Sequence, residues 1–211
     1  MHYLDTTIWF PKPSEASREG LLAVGGDLSV ERLLLAYQSG IFPWYEKGQP
    51  LLWWCPDPRM VLFPKDLKAS KSLQKQIKKD HFKVTFNTAF PEVIKQCALK
   101  KRAGQAGTWI TDEMIVAYID LYNRGDIISV EVWMDCELVG GLYGVNLKKQ
   151  GIFCGESMFS TKNDASKVGF YQLVSKLLTD GYKIIDCQVY TEHLARLGAI
   201  EIPREEFLTY L

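Results

Sequence analysis

The chain has 211 residues, 47% of them hydrophobic, and 25 basic side chains balance 25 acidic ones to a formal net charge of zero. That is enough apolar material to bury a full core, which excludes intrinsic disorder. No window reaches the roughly 18 uninterrupted apolar residues of a membrane span, the start of the chain lacks a basic-then-apolar leader, and five scattered cysteines with three histidines contain no C-x-x-C pair, so membrane, secreted, disulfide-framed and zinc-bound classes are set aside in favour of a cytoplasmic protein without metal.

Residues 1–63 read as short elements and turns, a small N-terminal α/β lobe in which a helix begins after Ser29 and stops at Gly40. Trp44, Trp53 and Trp54 then stand among prolines in IFPWYEKGQP and LLWWCPDPR. This loop is too apolar for a solvated linker and either packs on the core as a lid or lines a pocket. A short strand over Met60–Phe63 precedes a lysine-rich helix: seven lysines from Lys65 to Lys83 face only Asp66 and Asp80. At 100° per residue, Lys71, Lys75, Lys78 and Lys79 fall within roughly 100° of arc, opposite Leu73 and Ile77. The stripe is either a solvated face or a contact for a phosphate backbone; four like charges without interleaved acids are its uncommon feature.

The strand FKVTFN, a helix through VIKQCALK and a loop with GTWI lead to an amphipathic helix with Met114, Ala117, Tyr118 and Leu121 on one face. Three strand-like runs follow, DIISVEVWM, ELVGGLYGVN and GIFCGESMF. Turn chemistry at Asp135–Cys136 and from Lys148 to Gly151 joins them into an antiparallel meander. A helix from about Ala165 to Thr179 carries Val168, Tyr171, Val174 and Leu178 at helical spacing. The next strand, in GYKIIDCQVY, returns parallel beside the meander because a helix separates the two. The fold class is therefore α+β with a mixed sheet, and residues 64–211 follow the order of an N-acetyltransferase (GNAT)-like domain, whose last two strands splay to open a cleft.

Asp186 and Gln188 interrupt the last of these strands. Alternation puts Ile184, Asp186, Gln188 and Tyr190 on one face, and puts Glu156 of the preceding strand with Ile152, Cys154 and Met158. Two carboxylates and an amide then line one cleft among Leu142, Phe153, Met158, Phe170 and Leu173, or else the acids sit at a sheet edge and are solvated. Buried without partners they would cost several kcal/mol, so a cation is needed, and a positively charged substrate would supply it. Ser157 lies outside a G-x-S-x-G elbow, Cys154 and Cys187 read as core thiols, and His193 reads as a surface or capping residue.

In GLLAVGGDLS, YQSGIFPW, LLWWCPDPR, GTWIT, LVGGLYGV, FCGESMFS with DASK, and IDCQ followed by LGA, the chain resembles leucyl/phenylalanyl-tRNA–protein transferases from about residue 20 to residue 202. The resemblance implies a monomer without cofactor that moves Leu or Phe, and to a lesser degree Met, from aminoacyl-tRNA to the N-terminal Arg or Lys of a protein and so marks it for N-end-rule degradation. It also implies Asp186 and Gln188 at the reaction centre, Glu156, Trp44, Trp109 and Thr191 around the acceptor, and Leu142, Phe153, Met158, Phe170, Leu173 and Ile185 around the transferred side chain. Lys68, Lys71, Lys75, Lys78 and Lys79 would hold the tRNA. Thr191 stands where the family usually has Asn, and the chain ends at Leu211, earlier than many relatives.

The chemistry such a reaction needs is modest. An α-amine with a pKa near 7.7 to 8.0 is already about a tenth to a fifth neutral at pH 7, so base assistance to that first deprotonation is worth only about tenfold. An anionic Asp186 beside the amine would raise its pKa, so Asp186 either takes a proton as the bond forms or mainly positions the amine, with Gln188 holding the carboxylate. An acyl-CoA acetyltransferase is the rival enzyme, but STKNDASKVG offers no glycine-rich pyrophosphate loop before Gly169. A non-catalytic tRNA-binding protein using the lysine helix alone is the other rival.

Overall fold

The computed structural model describes residues 1–79, 81–100 and 109–211. The chain runs β1 (His2–Leu4), β2 (Leu21–Gly25), α1 (Val30–Gln38), β3 (Phe42–Pro43), β4 (Leu52–Trp54), β5 (Arg59–Leu62), α2 (Lys71–Lys78), β6 (Lys83–Phe86) and α3 (Phe90–Leu99). It continues through α4 (Asp112–Asn123), β7 (Ile127–Met134), β8 (Glu137–Leu147), β9 (Ile152–Ser160), α5 (Ala165–Thr179), β10 (Ile184–Gln188), α6 (Glu192–Arg196), β11 (Ile200–Ile202) and α7 (Arg204–Leu208). A four-stranded sheet has the order β1-β2-β4-β3 and a seven-stranded sheet the order β11-β5-β10-β9-β8-β7-β6. Mixed α+β architecture is thus observed. The expected boundary at residue 63 falls just after β5, which pairs antiparallel with both β10 and β11 in the larger sheet.

Local chemistry explains the elements around the cleft. The β7–β8 hairpin turns on Asp135 and Cys136, both at positive φ, the geometry of a two-residue turn matched to strand twist. Helix α4 is capped by the Thr111 hydroxyl, which accepts the Met114 N–H, and buries Met114, Ala117, Tyr118 and Leu121. Helix α5 buries Val168 and Val174 but also Phe170, Leu173 and Leu177, leaving Leu178 52% exposed. The expected apolar stripe through Tyr171 and Leu178 is therefore rotated, because Phe170 and Leu173 reach a deeper cluster with Leu142, Phe153 and Ile185.

Strand β10 pairs parallel with β9 through only three positions, Ile184–Ile152, Ile185–Phe153 and Asp186–Cys154, and the two strands then separate. The close approach of β8 and β9 beside this point depends on glycine. A Cβ at Gly144 would overlap the carbonyl oxygen of Cys154 and the ring of Phe153, whereas one at Gly155 would meet the Asp186 carbonyl oxygen at an ordinary 3.6 Å. Gly144→Ala is expected to lose about 1–3 kcal/mol in urea unfolding, as forced overpacking does, and Gly155→Ala to unfold near the wild-type midpoint. Equal midpoints for the two variants would contradict the packing described.

Candidate active site

The parting of β9 and β10 opens a cavity of about 640 Å³, lined among others by Trp44, Trp109, Glu156, Met158, Phe170, Ile185, Gln188, Thr191 and His193. Eight of the twelve residues that the sequence analysis placed at the reaction centre, the acceptor and the side-chain pocket meet here; Asp186 and the five lysines do not line it. Leu142, Phe153 and Leu173 stand behind the wall, buried in the same apolar cluster as Phe170 and Ile185. Trp44 is 38% exposed at the mouth, its carbonyl accepting the Trp54 indole N–H at 2.6 Å. The hydroxyl of Thr191 caps α6 by accepting the Leu194 N–H. Of the GTWIT motif, Gly107 and Thr108 lie outside the described residues.

Two strand irregularities overturn the expected faces. Tyr143 pairs with Ser157 but Gly144 pairs with Gly155, so Glu156 is the extra residue of a bulge. Met158 thereby falls on the side of Leu142 and Phe153, in a different cluster from Ile152 and Cys154. On β10 the register with β5 shifts between Asp186 and Gln188, and Gln188 adopts φ of +65°. Asp186 and Gln188 consequently do not point the same way: Asp186 is buried, while Gln188 opens onto the cavity.

The cation that Asp186 requires is resident. Arg59, the first residue of β5, donates Nε to Oδ1 at 2.8 Å and Nη2 to Oδ2 at 2.7 Å, with both side chains only 1% exposed. Its guanidinium lies 4.9 Å from the ring centre of Phe42 and 4.7 Å from that of Phe207. Burial works to lower the Arg59 pKa, but the Asp186 charge and hydrogen bonds outweigh it and raise the value overall. Asp186 Oδ1 also accepts the backbone N–H of Gln188 at 3.0 Å, which ties the left-handed residue to the ion pair.

Glu156 has different neighbours. Its Oε1 accepts from Gln188 Nε2 at 2.9 Å and its Oε2 from the Tyr118 hydroxyl at 3.0 Å, while the Tyr37 hydroxyl in turn bonds that of Tyr118. Burial pushes the Glu156 carboxyl up to about 7 and the Asp186 charge adds to the rise, against the hydrogen bonds from Tyr37, Tyr118 and Gln188. Burial also raises the thiols of Cys154 and Cys187, which keeps both protonated at neutral pH. His193 is shifted down by burial and by the charges of Lys167, Lys100 and Arg196.

Sequence reasoning missed Arg59, Tyr37 and Tyr118 as parts of the site. The demand of Asp186 for a cation was the available signal, and Arg59 opens the apolar strand RMVL. No group of three or more His, Cys, Asp or Glu side chains suited to a metal occurs among the described residues. On α2, Leu73 is buried while Lys71, Lys75 and Lys78 are exposed, as are Lys68 and Lys79 beside the helix; none of the five pairs with a described acid.

Comparison with known proteins agrees along nearly the whole length. Residues 61–211 match the family described as leucyl/phenylalanyl-tRNA protein transferase and residues 26–57 its N-terminal domain. Leucyl/phenylalanyl-tRNA–protein transferases of Flavobacterium johnsoniae and Flavobacterium psychrophilum are 56% and 54% identical, each aligned over 100% of this chain and 99% of its own. That of Syntrophobacter fumaroxidans is 55% identical over 96% of this chain and 86% of its own. A solved GCN5-related N-acetyltransferase from Kribbella flavida covers 80% of this chain and 59% of its own at a TM-score of 0.40 and 11% identity, too distant to carry an argument. The chain belongs to the leucyl/phenylalanyl-tRNA protein transferase family. It is an enzyme that transfers an aminoacyl group from tRNA to protein. No helix among the described residues is long and apolar enough to cross a membrane.

Proposed function

We propose that this enzyme moves Leu or Phe, and to a lesser degree Met, from aminoacyl-tRNA to the N-terminal Arg or Lys of acceptor proteins, marking them for N-end-rule degradation as a cytoplasmic monomer without cofactor. The observation that carries this reading is the contrast within the cavity lining. Met158, Phe170 and Ile185 make an apolar wall, and the same cavity holds Glu156, which forms no ion pair with a described residue. The wall suits an apolar side chain on the donor that is not branched at Cβ, as in Leu, Phe and Met, and discrimination by one methylene there is worth only ~1 to 3 kcal/mol, so Met is tolerated. The acid suits an N-terminus carrying an α-ammonium and a cationic side chain. In this reading Trp44, Trp109 and Thr191 flank the acceptor, and Asp186 with Gln188 orients the reacting groups.

Residues 64–211 then form a GNAT-like catalytic domain to which residues 1–63 add a small lobe and strand β5. The exposed lysines Lys68, Lys71, Lys75, Lys78 and Lys79 contact tRNA phosphates. Lys71→Ala and Lys75→Ala are each expected to reduce the slope of log affinity against log salt by about one unit; an affinity independent of salt would remove this assignment. The function itself is tested by incubating the enzyme with labelled Phe-tRNA and peptides beginning with Arg, Asp or acetylated Arg. Label is expected on the free Arg peptide alone, and label on the acetylated peptide or on none would refute the reading.

A further inference from the structure

The LGA motif at residues 197–199 lines no part of the cavity. Leu197 caps α6 and Gly198 follows at φ of +105°, so that the Gly198 N–H reaches the Ala195 carbonyl at 3.0 Å and the Ala199 N–H the Leu194 carbonyl at 3.0 Å. This closure of the helix calls for glycine at its left-handed position. A second demand falls on the same residue. A Cβ on Gly198 would overlap the carbonyl oxygen of Asp66, the last residue of the 3₁₀ turn Pro64–Asp66, and the Leu197 carbonyl accepts the N–H of Lys68 at 2.8 Å. The end of α6 is thus joined, backbone to backbone, to the segment that enters the lysine helix α2.

Helix α2 needs such support. It has eight residues, short of the roughly 12–15 at which an isolated helix becomes stable in water, and Leu73 is its one buried side chain. The Ser70 hydroxyl caps it by accepting the Leu73 N–H at 3.1 Å, and Leu73 packs in one cluster with Ala165 and Val168 of α5. Its two attachments, Leu73 on α5 and Lys68 on the end of α6, both lead to the cavity. Ser166 and Phe170 of α5 line it, as do His193 and Leu194 of α6. Leu197 and Ala199 are buried in the same cluster as Phe170 and Ile185 of the cavity wall.

Resting on the reading of α2 as a tRNA contact, we propose that the Leu197–Gly198 turn is a splint between that contact and the cavity, and that Gly198 is a positioning residue for the tRNA donor. Lysine heads on flexible stems hold phosphates as point charges, which supplies affinity without fixing distance. Transfer needs the ester within about 3–3.5 Å of the attacking nitrogen, and a misplacement of about 1 Å costs on the order of 100-fold in rate. Distance is therefore set by the backbone that carries the lysines. With α2 fastened to α5 and α6, a tRNA gripped by its phosphates delivers its 3′ end at one reach from the cavity; with α2 loose, it is bound but not delivered. A glycine that merely closed α6 and led into β11 would matter equally for every donor.

That difference is measurable. Phe transfer to an Arg peptide is followed for wild type, Gly198→Ala and Leu73→Ala with two donors, Phe-tRNA and 3′-O-phenylalanyl adenosine, which carries the ester but no phosphate. The short ester is read both as donor and as competitor of Phe-tRNA, so the cavity is probed even where its turnover is slow. Circular dichroism checks folding, and Leu73→Ala carries the comparison if Gly198→Ala does not fold. With saturating Phe-tRNA, Gly198→Ala is expected to lose kcat by roughly 10- to 100-fold, yet to keep the wild-type slope of log affinity against log salt because all five lysines remain. With phenylalanyl adenosine its turnover and inhibition should stay within about twofold of wild type. Leu73→Ala should divide the donors in the same way. Equal losses with both donors, or no loss with either, would reduce Gly198 to a residue that closes the fold and overturn the proposal. A wild type that labels the Arg peptide with neither donor would instead remove the functional reading, and a tRNA affinity independent of salt would remove the α2 contact on which the splint rests.

Discussion

Arg59→Met should unfold with about 3–5 kcal/mol less stability than wild type, because it strands the Asp186 carboxylate in a site where both partners are 1% exposed. At this chain length that corresponds to a fall in Tm of roughly 6–20 °C in a thermal scan. The loss should be reversible by a second change. Arg59→Met with Asp186→Leu removes both charges and replaces them by apolar bulk, an exchange that in buried pairs is close to neutral or stabilising. The double variant should therefore regain most of the thermal stability but not the transfer activity, because Gln188 has lost the carboxylate that receives its backbone N–H at 3.0 Å. An Arg59→Met protein as stable as wild type would show that the pair carries no such burden.

Phe170→Ala is expected to cost about 3–5 kcal/mol in the same assays, since the ring is buried in one cluster with Leu142, Phe153, Leu173 and Ile185 and its removal leaves a cavity. The same ring borders the cleft, so the variant also tests the wall proposed for the transferred side chain. Space vacated by an aromatic ring is refilled better by Phe than by Leu. Competition between Leu-tRNA and Phe-tRNA should therefore shift toward Phe in this variant. An unchanged product ratio would place Phe170 outside the side-chain pocket.

What the amino-acid pattern revealed, and what it concealed, follows from the range of the interactions. The meander, the parallel return of β10 and the buried face of α4 rest on local signals: alternation, turn residues at Asp135–Cys136, and helical spacing of Met114, Ala117, Tyr118 and Leu121. The bulge at Glu156 and the shift at Gln188 are single-residue departures from alternation. A strict period of two assigns every later side chain to the wrong face once such a residue is passed, which is how Met158 and Gln188 were misplaced. Arg59 was hidden for a different reason. It lies 127 residues from Asp186 and follows a proline-rich segment, so nothing in its local context announces a buried cation. The argument that an acid in an apolar strand needs a positive partner was sound, but the partner belongs to the protein and not to the substrate.

The aromatic sandwich around Arg59 has a consequence for how the enzyme matures during synthesis. The guanidinium comes from β5, one covering ring from Phe42 and the other from Phe207 on α7. A nascent chain that has emerged only as far as β10 already carries Asp186 and Arg59 but leaves one face of that pair open to water. The Asp186–Arg59 anchor of Gln188 therefore gains its Phe207 cover only after α7 has been made and has docked, late in the synthesis of this fold.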